Sequence, residues 1–114
     1  MDGGRSFRVF YRDYGSGATI PSSRPEPLAA ERLPALADRL LDSADNFLGV
    51  VDEEESILQL SLDENGRDLV LELLFPEGPG RLRLVCPRAE ALALLADLPE
   101  RFDESLLPGA SYMG

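Results

Sequence analysis

The segment Ser6–Tyr14 alternates between two kinds of position: Phe7, Val9 and Tyr11 form one row, and Arg8, Phe10 and Arg12 the other. A period of two with aromatic enrichment predicts a strand with one apolar face. On its polar side, Phe10 and Tyr14 stand beside Arg8 and Arg12, a combination common at interfaces. Gly15-Ser16-Gly17 breaks the strand, and 15–27, rich in Gly, Ser and Pro, reads as a loop. From Leu28 the spacing becomes helical. Leu33, Leu36, Ala37, Leu40, Leu41 and Ala44 share one face, with Arg32, Asp38, Arg39 and Asp42 elsewhere. Pro34 inside this run predicts a short turn at 28–32 followed by a main helix over about 34–44.

Four strand signals follow. Phe47–Val51 is short and apolar. Ile57–Leu62 puts Leu58, Leu60 and Leu62 on one face, Arg67–Phe75 does the same with Leu69, Leu71, Leu73 and Phe75, and Arg81–Cys86 with Leu82, Leu84 and Cys86. Between them, Asp52–Glu55 reads as a solvated turn, Asn65-Gly66 as a type I′ hairpin turn, and 76–80 as a turn cluster. Pro87 opens a second helix over 88–98, with Ala91, Leu92, Leu95 and Leu98 on one stripe, and Pro99 stops it. The order is β-α-β-β-β-β-α. Hairpin-length connections within 47–86 predict an antiparallel meander, and a sheet with one apolar face needs the two helices as cover. The expected fold is α+β: a two-layer sandwich in one domain, residues 1–114, with 1–5 and 109–114 frayed.

Composition narrows the chemistry. The 114 residues contain no His, one Cys (Cys86), 11 basic residues that are all Arg, and 21 acids, for a net charge of -10. Imidazole catalysis, Schiff-base chemistry on lysine and multi-cysteine zinc sites are excluded by absence. A strongly acidic chain is a poor ligand for phosphate backbones or anionic lipid, so neither nucleic acid nor membrane is an expected partner. No apolar run approaches the length of a signal peptide or a bilayer span. With a single cysteine, this predicts a cytoplasmic protein. The bias of Arg over Lys, with abundant Leu and Ala, matches a GC-rich bacterial genome.

The charge is uneven. Residues 1–27 carry +1, residues 28–66 carry -8 and residues 67–114 carry -3. The candidate binding residues therefore lie around the first helix and the turn after Phe47–Val51: Asp42, Asp45, Asp52, Glu53, Glu54 and Glu55. Their chemistry suits a basic protein surface, because charge complementarity speeds encounter and filters partners. No catalytic, cofactor or metal residue emerges. Asp63-Glu64-Asn65-Gly66 fails the calcium-loop template, Gly15-Ser16-Gly17 lacks the rest of a phosphate cradle, and Cys86 has no base to activate it.

The helix LPALADRLLDSA, the run FLGVVDEEESILQLSLDENGRDLVLELL and the closing helix PRAEALALLADLP span about residues 33–99. In size, acidity and meander-plus-helix pattern they resemble small acidic bacterial immunity proteins of toxin–immunity systems. The resemblance implies occlusion of a cognate toxin and carries no individual residue with it. The expected function is a non-catalytic protein-binding module, its oligomeric state left open with a monomer favoured. A self-associating accessory protein, using the first strand as an exposed edge, is the alternative, and a carboxylate- or metal-dependent enzyme comes third.

Overall fold

The apolar rows set by the period-two segments all reach the same side of one sheet. The computed structural model describes residues 5–78 and 80–113. Its strands are β1 (Ser6–Arg12), β2 (Thr19–Ile20), β3 (Glu26–Ala29), β4 (Phe47–Val51), β5 (Ile57–Leu62), β6 (Leu69–Leu74), β7 (Arg81–Cys86) and β8 (Ser111–Met113). They form an eight-stranded sheet in the order β2-β1-β4-β5-β6-β7-β8, with β3 also paired to β1, and every pairing is antiparallel. Helices α1 (Leu33–Leu40) and α2 (Arg88–Leu95) lie on one face. The fold is the α+β sandwich that the periodicity predicts.

Register explains the core. Val9, Val50, Leu58, Leu73 and Leu82 are successive cross-strand partners, as are Tyr11, Leu48, Leu60, Leu71 and Leu84. These two rows meet Leu33, Leu36, Ala37 and Leu40 of α1 and Ala91 and Leu95 of α2, with Leu98, Phe102 and Leu107 from the C-terminal segment. Burying each of the larger side chains contributes about 1.5–3 kcal/mol. A slip of one residue in any pairing would turn a whole row to solvent.

Several expectations need correction. The 15–27 loop contains β2 and the first half of β3, which continues to Ala29, so the end of that strand and the 3-10 turn Ala30–Arg32 occupy the place of the expected turn at 28–32. These strands are two and four residues long and lack alternation; their pairing with β1 makes them. The first strand is consequently interior, flanked by β4 on one side and by β2 and β3 on the other, and offers no free edge. Helix α1 ends at Leu40 and not at 44, because Leu41 leaves helical geometry (φ -89, ψ 40). Asn46 Nδ2 then donates to the Leu40 carbonyl at 2.8 Å, and Arg88 Nη2 to the Leu41 carbonyl at 2.5 Å. Ala44 is left exposed. Helix α2 ends at Leu95 rather than 98, although Leu98 is still buried. Ser111–Met113 is strand β8 on β7, not a frayed tail. Residues 1–4, Gly114 and Pro79 of the 76–80 turn lie outside the described residues.

The β5–β6 connection is a hairpin, but not a two-residue type I′ turn. Leu62 pairs with Leu69, Asp63 N donates to the Asp68 carbonyl at 2.8 Å, and only Gly66 takes a positive φ (+74). Asn65 uses its side chain instead. Its Oδ1 accepts from Arg67 N at 2.8 Å and Asp68 N at 2.9 Å, which closes a four-residue loop.

Phe10 is on the outer face of the sheet as alternation requires, yet only 5% exposed. Its cross-strand partner is Gly49, the tip of its ring fills the space over that glycine, and it meets Phe47 edge-on at 6.4 Å between centroids. A Cβ on residue 49 would come within 2.1 Å of the Phe10 ring. Gly49→Ala is therefore expected to destabilise the protein by about 1–3 kcal/mol, the usual range for overpacking. Combined with Phe10→Ala, it should cost less than the sum of the two single changes, measured as a double-mutant cycle by urea unfolding.

Candidate protein-docking surface

The six candidate acids do not form one surface. Asp42 and Asp45 precede β4 and Asp52–Glu55 follow it, so the strand holds the two groups at opposite ends of the sheet, about 16 Å apart at the rise of an extended chain.

At the far end of β4, Asp52 is 2% exposed. Its Oδ1 accepts from Glu54 N at 2.9 Å and Ser56 N at 2.8 Å, and its Oδ2 from Phe102 N at 2.7 Å. The short side chain folds back over its own turn and ties it to the C-terminal segment, where Phe102 stacks on Phe7 at 5.8 Å between centroids. Asp52 thus serves the fold and presents no carboxylate to a partner. Glu55 pairs with Arg8, and Glu54 with Arg101 at 3.2 Å. Glu55 also holds a left-handed backbone (φ 68), which costs roughly 1–2 kcal/mol for a residue with a side chain. Only Glu53 of this turn is exposed with no ion pair among the described residues.

At the near end the pairing registers gather residues that local sequence reading keeps apart. Arg12 opposes Phe47, and Phe47 opposes Ser61, so the ends of β1 and β5 lie beside the start of β4. Asp13 from the β1–β2 turn, and Asp63, Glu64 and Asp68 from the β5–β6 hairpin, join Asp42 and Asp45 here. Asn46, 5% exposed, organises the corner. Its Nδ2 donates to Asp13 Oδ1 at 3.2 Å as well as to the end of α1, and its Oδ1 accepts from Tyr14 N at 2.9 Å. Arg67 lies 3.7 Å from Asp68, and Arg88 lies 4.0 Å from Asp42 and 3.3 Å from Asp38. Asp45 and Glu64 are exposed and have no ion pair among the described residues. Sequence reading missed Asp13, Asp63, Glu64 and Asp68 as members; two Asx-type turns were the available signal, but only register shows that they share an end.

Asp13 is held below the usual carboxylate range, chiefly by the hydroxyl of Ser16 donating to Oδ2 at 2.9 Å; burial opposes this, and the Ser16 and Gly15 N–H groups and Asn46 add to the lowering. Asp103 is lowered in the same manner by the Ser105 side chain and then by its N–H. The Cys86 thiol faces the helix layer, half-buried, and is pushed up by burial first and then by Glu90 and Asp68. It is thus a poor nucleophile at neutral pH. Among the described residues, no three His, Cys, Asp or Glu side chains are arranged to hold a metal ion, and no helix is long and apolar enough to cross a membrane.

Asp52→Ala would orphan three N–H groups and should cost about 2–4 kcal/mol in chemical denaturation, whereas Glu53→Ala should stay within about 0.5 kcal/mol. Asp13 contributes stability that is complete above 3.8, its ordinary value, and is lost as pH falls through its lower folded value. Asp13→Ala should therefore lower the melting temperature at neutral pH, with the difference from wild type closing as the solution is acidified.

Comparison with protein-family models, curated proteins and solved structures gives no match for this chain.

Proposed function

We propose that the protein is a non-catalytic binding module that presents its acidic sheet end to a basic protein surface. The observation that supports this reading is the convergence of three separate loops, carrying Asp13, Asp42 with Asp45, and Asp63 with Glu64, at one end of the sheet. Nearby arginines offset only part of that charge: Arg67 meets Asp68 and Arg88 meets Asp42. Surface ion pairs of this kind contribute about 0–1 kcal/mol each, so a partner's Lys or Arg can replace them at little cost. The mechanism is steric and electrostatic block, with exposed carboxylates pairing to cations of the target.

The partner is of the expected class, but the surface centres on the near end of β4 and not on the turn after it. Asp42 and Asp45 belong to it; Asp52 does not; Glu53, Glu54 and Glu55 form a second, smaller acidic turn largely matched by Arg8 and Arg101. Its cellular setting, on this proposal, is the bacterial cytoplasm, where an immunity or inhibitor protein that occludes a basic toxin would act.

The test is co-expression of the full chain with proteins encoded beside it, followed by affinity purification at low and high salt. A complex should form that weakens with salt and that Asp42→Arg, Asp45→Arg and Glu64→Arg together reduce at least tenfold, while reversing Glu53, Glu54 and Glu55 has a smaller effect. No complex, or one indifferent to the first three reversals, would overturn the proposal.

A further inference from the structure

Asparagine followed by glycine is a chemically labile pair. The main-chain nitrogen of the second residue attacks the side-chain amide of the first, and glycine, with no Cβ, puts nothing in the way. Of the two asparagines in this chain, Asn46 precedes Phe47 and Asn65 precedes Gly66. Asn65 and Gly66 are exposed, in the loop between β5 and β6. Sequence and exposure both favour the reaction at Asn65.

The loop is built against it. Cyclisation forms a bond from Gly66 N to Asn65 Cγ and breaks the Cγ–Nδ2 bond. The proton of Gly66 N leaves with Nδ2 as ammonia, and a cyclic imide remains. Water then opens the imide at either carbonyl, giving aspartate or isoaspartate. The imide nitrogen has no hydrogen, so the bond from Gly66 N to the Asp63 carbonyl at 2.9 Å is lost. The departing Nδ2 takes with it the bond to Asp68 Oδ2 at 3.0 Å. Asn65 Oδ1 accepts from Arg67 N at 2.8 Å and Asp68 N at 2.9 Å, which fixes the amide and resists its rotation onto Gly66 N. A reaction between two groups needs them free to reach the attacking geometry. Here both are tied to other atoms, and the pairing of Leu62 with Leu69 closes the loop behind them.

We propose that Asn65 is a latent self-modification site that its own hairpin keeps shut. While the β5–β6 loop is folded the amide persists. When the loop opens, locally or with the whole chain, Asn65 cyclises on Gly66 and is hydrolysed to aspartate or isoaspartate. The change runs one way. Either product puts a carboxylate where Nδ2 met Asp68, next in sequence to Glu64, and isoaspartate also adds a methylene to the main chain between two strands whose register buries Leu60 against Leu71. A modified hairpin closes less well, so the residue records opening as a lasting negative charge. The inference uses neither the acidic surface nor its partner.

Incubation of the full chain in mildly alkaline buffer, with and without urea at the same pH, tests it. Modification is read at Asn65 by peptide mass mapping and as added negative charge by ion exchange. The unfolded chain should react at least about tenfold faster than the folded one, because each of the four bonds released is worth about a factor of 2–10. Gly66→Ala, measured in urea where its backbone strain is irrelevant, should slow the reaction several-fold. Asp68→Ala, which removes the acceptor of Nδ2, should speed the folded chain about 2–10-fold and leave the rate in urea unchanged. Equal rates in the folded and unfolded chain, or no modification of Asn65 in urea, would overturn the proposal. So would an Asp68→Ala protein that keeps the wild-type circular dichroism spectrum and reacts no faster than wild type; if that variant does not fold, the wild-type comparison decides alone.

Discussion

Five residues of β4 decide where the charge of this chain is displayed. Asp42–Asp45 and Asp52–Glu55 are close in sequence, and the strand between them sends each to a different end of the sheet. The same strand, by pairing with β1 and β5, brings Asp13 and Asp63 to the end where Asp45 lies. Its register is not negotiable. Leu48 and Val50 sit in two cross-strand apolar rows, and slipping them would expose several buried side chains at about 1.5–3 kcal/mol each. An exposed ion pair contributes less than about 1 kcal/mol. Hydrophobic register therefore dictates the electrostatic surface, and the charges take the places the core leaves to them.

This ordering of energies separates what was legible in the sequence from what was not. The period-two rows from Ile57 to Cys86 are strong local signals, and β5, β6 and β7 follow them closely. Strand β3, with the sequence Glu26-Pro27-Leu28-Ala29, has no alternation, and its existence depends on β1 lying alongside. The end of α1 depends on Asn46 and Arg88, residues outside the helix, so periodicity through Ala44 ran past it. Asp52 was unreadable for a related reason. It stands in a run of four acids, and only the fold distinguishes it, by bringing Phe102 N to its carboxylate.

The acids themselves divide by length. Four aspartates accept a hydrogen bond from an N–H two residues further on: Asp13 from Gly15, Asp52 from Glu54, Asp63 from Asn65 and Asp103 from Ser105. A short carboxylate can reach back to its own turn, and a glutamate's longer side chain suits this less well. Part of the chain's acidity is thus turn chemistry, which a net charge of -10 counts in full. Glu53 and Glu64, exposed in their turns, and Asp45 in the loop before β4 make no such bond. These carboxylates keep their charge, but some of their oxygens are occupied, and those without a bond inside the molecule are the ones a partner can pair with directly.

Segregation of charge also shapes the rest of the outside. The acids collect in the connections at both ends of the strands, while β7 and β8 carry none. Loops can hold repelling carboxylates apart because water and counter-ions screen them within about 8–10 Å. A strand edge has a different requirement. Its unpaired N–H and C=O groups invite any extended segment, and a nearby like charge is what discourages a copy. On the β2–β3 side, prolines and Glu26 supply that discouragement. On the β8 side the strand has only its three-residue length for this, and Val85 of β7 and Tyr112 and Met113 of β8 are left exposed. With acidity gathered in the loops, each edge is left to strand length, proline and the few charges within it.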